Sequence, residues 1–443
     1  MPKTKKNTTP KPGYQFPGPP PSEAIDYLSG KGITPSWHWT DTWREEHAAM
    51  FTVAKATNIT VLQTIRRDLE KALADGVPFE KWQRQLRPKL QKAGWWGFEK
   101  QTDPKTGETK QVELGSPRRL KTIYHSNMRT ARAAGRWQQV QRNKATRPYL
   151  MYQLGPSQTH RDEHQGWEGL VLHVDDPWWG AHYPPNGWGC KCWVRSISKA
   201  RAKRDGITPA TAPEIETREW TNRRTGEVIE VPKGISPGWD SNPGAVERRG
   251  YAARILADKM VEMPADQAQP WLQANWDHTG EDLTKEYQAW SDRVIQAGRR
   301  QGQRRVVGVL SPVAMQAMAK TGIDPASAAI IQRDEDLLHM VRDAKKKSGK
   351  AVSPELLAKL PEMLANPRAV VRERSASPDA LLYIYDVPGD KDAKLVVLIN
   401  YRAKTRQGGK MVRQTVNVVR TATMMDTEIL RDKNQYQLIE GGI

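Results

Sequence analysis

The chain has 443 residues, room for two or three domains, of which 37% are hydrophobic, with a mean hydropathy of −0.74. Its 69 Lys and Arg outnumber 50 Asp and Glu, and a formal net charge of +19 favours a polyanionic neighbour such as DNA or RNA, or simply solubility. No run approaches the roughly 18–20 consecutive apolar residues of a membrane span, and the Lys- and Pro-rich opening MPKTKKNTTPKPGYQFPGPPPS lacks the apolar core of a secretory leader, so neither is expected.

Residues 1–20 read as a disordered basic, Pro-rich arm. Over 21–157 the pattern predicts a helical domain with a β-hairpin. Ser22 can cap a helix through Leu28, and Asp41 can cap another running through Trp43–Ala56. Ile59, Leu62, Ile65, Leu69 and Leu73 recur at three- and four-residue intervals, predicting a helix over 57–74 that Gly76 ends; Val77–Leu90 predicts one more. Residues 98–114, FEKQTDPKTGETKQVEL, read as a hairpin turning at Asp103–Gly107. Ser116–Gln141 is expected to be helical. Its Arg118, Arg119, Lys121, Arg129, Arg132 and Arg136 suit DNA or an acidic partner, or an ordinary solvated face.

Residues 158–245 are expected to form a small irregular module. Both cysteines of the chain, Cys190 and Cys192, stand two apart in it, and four of the nine histidines fall at 160, 164, 173 and 182. A disulfide between the cysteines would close a very tight ring with poor torsions. Two plain thiols are the bland reading. Ligation of one structural Zn²⁺ by His160, His164, Cys190 and Cys192 is the sharp one, because histidines four apart on a helical turn project from one side; His173, His182 and Asp162 are the substitutes. A basic run at Lys199–Arg204, a second hairpin over 215–232 and a Pro/Gly/Asn-rich loop at 234–245 complete the module. Seventeen tryptophans beside four phenylalanines point to docking surfaces, since Trp is favoured at interfaces, although half-buried packing suffices for most of them.

Residues 246–302 read as a helical connector with Trp271, Trp276 and Trp290, and 303–443 as an α+β domain with an antiparallel sheet. Ser353–Leu364 and Arg333–Lys347 are its predicted helices. Leu381–Asp386, Lys394–Tyr401, Lys410–Thr421 and Tyr436–Ile439 are its predicted strands. Asn400 to Met425 holds six basic residues and no acidic one, a sheet face suited to a phosphodiester. His339 beside Arg342 can be read as a general acid/base for attack of a ribose 2′-hydroxyl on its phosphate, or as a surface histidine. The fold class expected for the chain is thus α+β and multidomain: a helical N-terminal region with β-hairpins, the Cys/His/Trp-rich module, and the C-terminal α+β domain.

Two resemblances follow from particular strings. DDPWW…HYPPNGWGCKC with GPSQTHRDEH upstream, together with segments 33–56, 92–137 and 147–157, resembles the phage Mu F-like minor head proteins of the head-morphogenesis family, over roughly residues 20–200. That resemblance implies a minor head protein of a tailed phage. It would act in prohead assembly near the portal, against portal, major capsid or scaffold protein, in the host cytoplasm and then in the virion, while the basic surface would meet genome DNA. RDEDLLHMVRDAKK, with LPEMLANPRAVV, LLYIYD, KLVVLINYRAK and VVRTA, resembles phage domains of the barnase–EndoU–colicin–RelE-like nuclease superfamily, over about 310–443. This second likeness implies a metal-independent ribonuclease fold acting on RNA, with His339, Arg342, Lys404, Arg413, Asn417 and Thr421 at the site. The alternative reading is accordingly a virion-delivered ribonuclease effector whose head domain serves mainly for packaging.

Overall fold

A computed structural model describes residues 21–341, 352–377, 379–387, 391–407 and 410–443. The N-terminal helices form where local signals are complete. Helix α1 (Ser22–Ser29) buries Ala24, Tyr27 and Leu28. Helix α2 (Ile59–Ala74) starts at Asn58, whose side chain accepts from the Thr60 and Val61 N–H groups. It buries Val61, Leu62, Ile65, Leu69 and Leu73 on one stripe. Helix α3 (Phe79–Lys92) follows, then the hairpin of β1 (Phe98–Thr102) and β2 (Thr109–Glu113). The 27-residue α4 (Pro117–Asn143) is opened by Ser116, whose hydroxyl accepts from Arg119 N, and by Pro117 in its first turn. Helices α1 and α4 touch at Gly135, where a β-carbon would come within 2.8 Å of the Ala24 nitrogen; any larger residue would push the helices apart.

One helix expected in this region does not form. Asp41 ends a single 3-10 turn (Trp39–Asp41), and its carboxylate accepts from Trp37 N and His38 N and contacts Arg224. Only Glu45–Ala49 is helical, and Met50–Phe51 then pairs in parallel with Gly32–Ile33. Trp39 and Trp43, on either side of Asp41, pack on each other and on Trp220, and Thr42 accepts from Lys259.

The middle of the chain forms a three-stranded sheet with β3 (Tyr149–Gln153) at its centre. Helix α5 (Asp162–Gly166) leads into β4 (Val171–His173), and β5 (Trp193–Ile197) pairs on the other side of β3. A second hairpin, β6 (Thr217–Thr221) with β7 (Val228–Pro232), closes the module. Its core is aromatic: Tyr152, Trp178, Trp179 and Tyr183 pack with Leu150, Leu172, Val194 and Cys192.

Helices α6 (Arg248–Lys259) and α7 (Ala265–Ala297) occupy the stretch expected as a connector. The C-terminal sheet has seven strands. In chain order they are β8 (Arg304–Val309), β9 (Ala329–Arg333), then, after helix α8 (Asp334–Met340), β10 (Ala369–Glu373), β11 (Ala380–Tyr385), β12 (Asp392–Gln407), β13 (Lys410–Met425) and β14 (Tyr436–Gly441). Across the sheet the order is β8-β9-β13-β12-β11-β10-β14. Every pairing is antiparallel except β9 with β13, where Ile330 lies opposite Asn417 and Ile331 opposite Val418. The helix expected over Arg333–Lys347 is described only as α8, since residues 342–351 lie outside the described residues, and the one expected at Ser353–Leu364 is two short helices, Pro354–Leu357 and Leu360–Ala365. Ala329, Ile331, Ala403, Val416 and Val418 belong to the same buried cluster as Tyr27, Leu62, Leu256 and Leu272, so one apolar core runs from the N-terminal helices into the sheet.

Candidate metal centre

His164, Cys190 and Cys192 come together in the middle module, with their ligand atoms all within 4.8 Å of one another. Three elements deliver them: His164 from α5, Cys192 from the residue preceding β5, and Cys190 from the loop before it. The histidine is held as a metal ligand would be. Its Nε2 donates to the Gly234 carbonyl at 3.0 Å, so that nitrogen carries the hydrogen. Nδ1 is then left with its lone pair toward Cys192 Sγ, 3.5 Å away. The imidazole also stacks on Trp167, with centroids 5.1 Å apart.

The two thiols divide their protons unequally. Cys190 is drawn down to about 6, first by the hydrogen bond from Cys192, then by the Asn186 and Cys192 backbone and the Arg161 charge. Cys192 is pushed up to about 12 by the same partnership with Cys190 and by burial. A thiolate beside a thiol and an imidazole lone pair is a donor set for a soft divalent ion. Arg161 braces the surroundings: its guanidinium donates to the Asn186 and Gly234 carbonyls and to Ser236 Oγ. Gly187 permits this, because a β-carbon there would lie 2.4 Å from Ser236 Oγ and 2.6 Å from Arg161.

His160 is not the fourth member. Its Nε2 donates to the Gly155 carbonyl at 2.8 Å, outside the group. The expectation required residues 160 and 164 on one helical turn, but α5 begins only at Asp162 and its cap, Arg161, is extended (φ −70°, ψ 146°). The substitutes lie elsewhere. His173 and Asp162 are exposed. His182 is buried, stacks on Trp178 at 4.1 Å, and is held down to about 4 mainly by that burial.

Residues 63–195, which include His164, Cys190 and Cys192, match the family described as Phage Mu protein F like protein. The "Putative capsid assembly protein F" of Escherichia phage Mu is 35% identical over 393 residues, covering 85% of this chain and 86% of that protein. The chain belongs to the phage Mu F-like family. The "Mu-like prophage FluMu F protein" of Haemophilus influenzae is 28% identical over 368 residues, covering 79% of this chain and 86% of that protein. No solved structure gives a significant match. The 15% of the chain left outside the phage Mu match is less than half of residues 303–443, so the likeness to that Mu F-like protein runs into the C-terminal sheet.

In this Mu F-like chain the C-terminal residues singled out from sequence are described in part, and two of them, Arg413 and Thr421, stand well apart on one strand. Arg342 lies outside the described residues. His339 is half-buried on α8. Asn417 is fully buried and spent on structure: its amide donates to the Ser327 and Ala329 carbonyls and accepts from Asn400 N. Lys404 and Arg413 face each other across β12 and β13 and are exposed. Arg413 stands eight positions from Thr421 on the same strand, roughly 25 Å of extended chain, too far for one phosphate to reach both. One strand cation that reaches α8 is Arg420, placed by a bulge where Val396 pairs with Thr421 and Val397 with Val419. It and Arg333 pair with the fully buried Asp336 of α8. Sequence reading missed this trio because a bulge leaves no mark in an alternating pattern.

Proposed function

We propose that the protein acts in phage head assembly as a minor component of the prohead, working against portal, major capsid or scaffold protein and remaining in the virion. The observation that carries this reading is the match over 85% of the chain to the "Putative capsid assembly protein F" of phage Mu, 86% of whose length is covered. Within it, His164, Cys190 and Cys192 hold one Zn²⁺, which ties α5 to the loop before β5; the protein's role for the ion is structural, in a module whose core is too loop-rich to fix that loop alone. Exposed Lys121, Arg132 and Arg136 on α4 add a basic face toward genome DNA. The proposal contains no nuclease step, since Asn417 is structural and Arg413 and Thr421 cannot meet at one phosphate. Quantitative mass spectrometry of purified heads and proheads tests it: a few copies per particle are expected, and absence from both refutes the assignment.

A further inference from the structure

A cavity of about 440 Å³ opens between helix α4 and four tryptophans from distant parts of the chain. One wall is aromatic: Trp39 and Trp43 come from the turn before the first short helix, Trp188 from the cysteine loop, and Trp239 from the loop after β7. Trp39 is the hub, 5.9 Å from Trp43 and 6.3 Å from Trp188, while Trp188 lies 5.1 Å from Trp239. Trp220 backs the wall from β6, 5.6 Å from Trp43. The facing wall is polar. Arg118, Thr122, Ser126 and Thr130 line it at four-residue intervals, one stripe of α4, with Arg119 and Asn127 beside them.

This wall carries unmet hydrogen-bonding capacity. The Oδ1 of Asn127 and the hydroxyls of Thr130, Thr52 and Tyr27 are buried and have no hydrogen-bond partner among the described residues, and all four residues line the cavity. The orientation of Asn127 is fixed, because its Nδ2 donates to the Ile123 carbonyl at 2.9 Å. Its Oδ1 can therefore only accept, and needs an N–H or O–H donor from an occupant. Buried polar groups are normally paired, so four around one cavity point to a ligand that supplies the partners. The lining also includes three arginines and no carboxylate. Arg119 is committed to the Glu113 and Leu114 carbonyls and to that of Ala54, Arg44 pairs with Asp240, and Arg118 pairs with the Glu113 carboxylate; the Arg118 pair is the exchangeable one, since that side chain is 80% exposed, and Trp188 on the same lining is 46% exposed.

We propose that this cleft docks an acidic peptide segment of an assembly partner. One apolar or aromatic side chain enters between the tryptophans, backbone N–H groups meet Asn127 and the threonines, and a flanking carboxylate meets Arg118. The proposal rests on the assembly reading above and names the chemistry of the partner. A nucleic-acid strand fits less well: bases can stack on tryptophans, but a backbone needs a track of cations, and all three arginines here already have partners, only the exposed Arg118 pair being easily exchanged. The volume suits one or two side chains.

The test uses the full-length, metal-loaded protein and an array of overlapping peptides spanning the portal, major capsid and scaffold proteins encoded with it. Bound peptides are expected to be acidic and to carry an aromatic residue or proline. Trp188→Ala and Arg118→Glu should each weaken binding at least tenfold with melting temperature and metal content unchanged, while Lys110→Ala, on the β1–β2 hairpin, should not. Binding of no peptide, indifference to both cleft variants, or displacement of bound peptide by an oligothymidylate would overturn the proposal. Particles separate the two readings. If the unaltered protein is in heads and the Trp188→Ala, Arg118→Glu double variant is incorporated equally well, the cleft fails alone; if the unaltered protein is absent, the assembly reading fails.

Discussion

Lys31 shows how far tertiary burial overrides residue type. It is 1% exposed, its ammonium donates to the His47 carbonyl at 2.6 Å and lies 4.8 Å from the Tyr27 ring centroid, and no carboxylate pairs with it among the contacts described. Burial, then Arg248 and Arg66, bring its pKa down to about 7 from 10.5. Below pH 7 the lysine is charged in both folded and unfolded chains, and the cost of burying that charge is fully present. Between pH 7 and 10.5 only the unfolded chain keeps the proton, so stability rises with pH as this cost is relieved. Lys31→Met should therefore raise the urea-unfolding free energy most at pH 6, with a gain that shrinks by pH 9.5. Loss of the bond to His47 shifts both values equally and cancels in the comparison. A gain that is constant or grows with pH contradicts this account. Nothing in the sequence marks Lys31 as buried, because its environment comes from α1, α2 and α6, far apart in the chain.

Elements whose signals are local were readable. Helices α2, α3 and α4 and both hairpins fall within a few residues of expectation, since caps, apolar spacing and turn residues all lie inside the element. Strand β9 was not: all five of Ala329–Arg333 are buried, so no alternation distinguishes it, and only its neighbours β8 and β13 make it a strand. The metal group shows the same division. Rare ligand types named His164, Cys190 and Cys192, whereas His160 needed the exact start of α5. The loop from residue 184 to 192 places Pro185 and Trp188 on the cleft and Cys190 and Cys192 in the candidate metal group. Cys192→Ser should abolish stoichiometric zinc measured by elemental analysis. Because binding energy here is folding energy, it should also raise amide exchange over 184–192 and 232–236 while leaving the C-terminal sheet unchanged. Zinc-free wild-type protein with equally slow exchange would refute the metal role.

The division of the chain at residue 303 was drawn from a change in sequence character, and the apolar cores do not respect it. Tyr287, Trp290 and Val294 of α7 are buried in the cluster formed by Val307, Leu337, Leu381 and Val397. The opposite face of β9 and β13 packs into the cluster that holds α6 and the N-terminal helices. Arg305 of β8 pairs with the buried Glu286 of α7, and Arg304 with Asp258 of α6. Cutting at 303 removes a tryptophan, a tyrosine and a valine from one core and bares the face of the other. Deleting a buried aromatic side chain alone costs about 3–5 kcal/mol, against a total stability of about 5–15 kcal/mol for a typical domain. The losses together exceed what a segment of this size can spare. Residues 303–443 expressed alone should therefore bind a hydrophobic dye, melt without a sharp transition and leave RNA uncut, while the full chain melts cooperatively. A dispersed amide NMR spectrum and a sharp melt from the isolated segment would show that the sheet is an independent domain after all. In that event the exposed Lys404 and Arg413 would regain interest as part of a separate nucleic-acid surface.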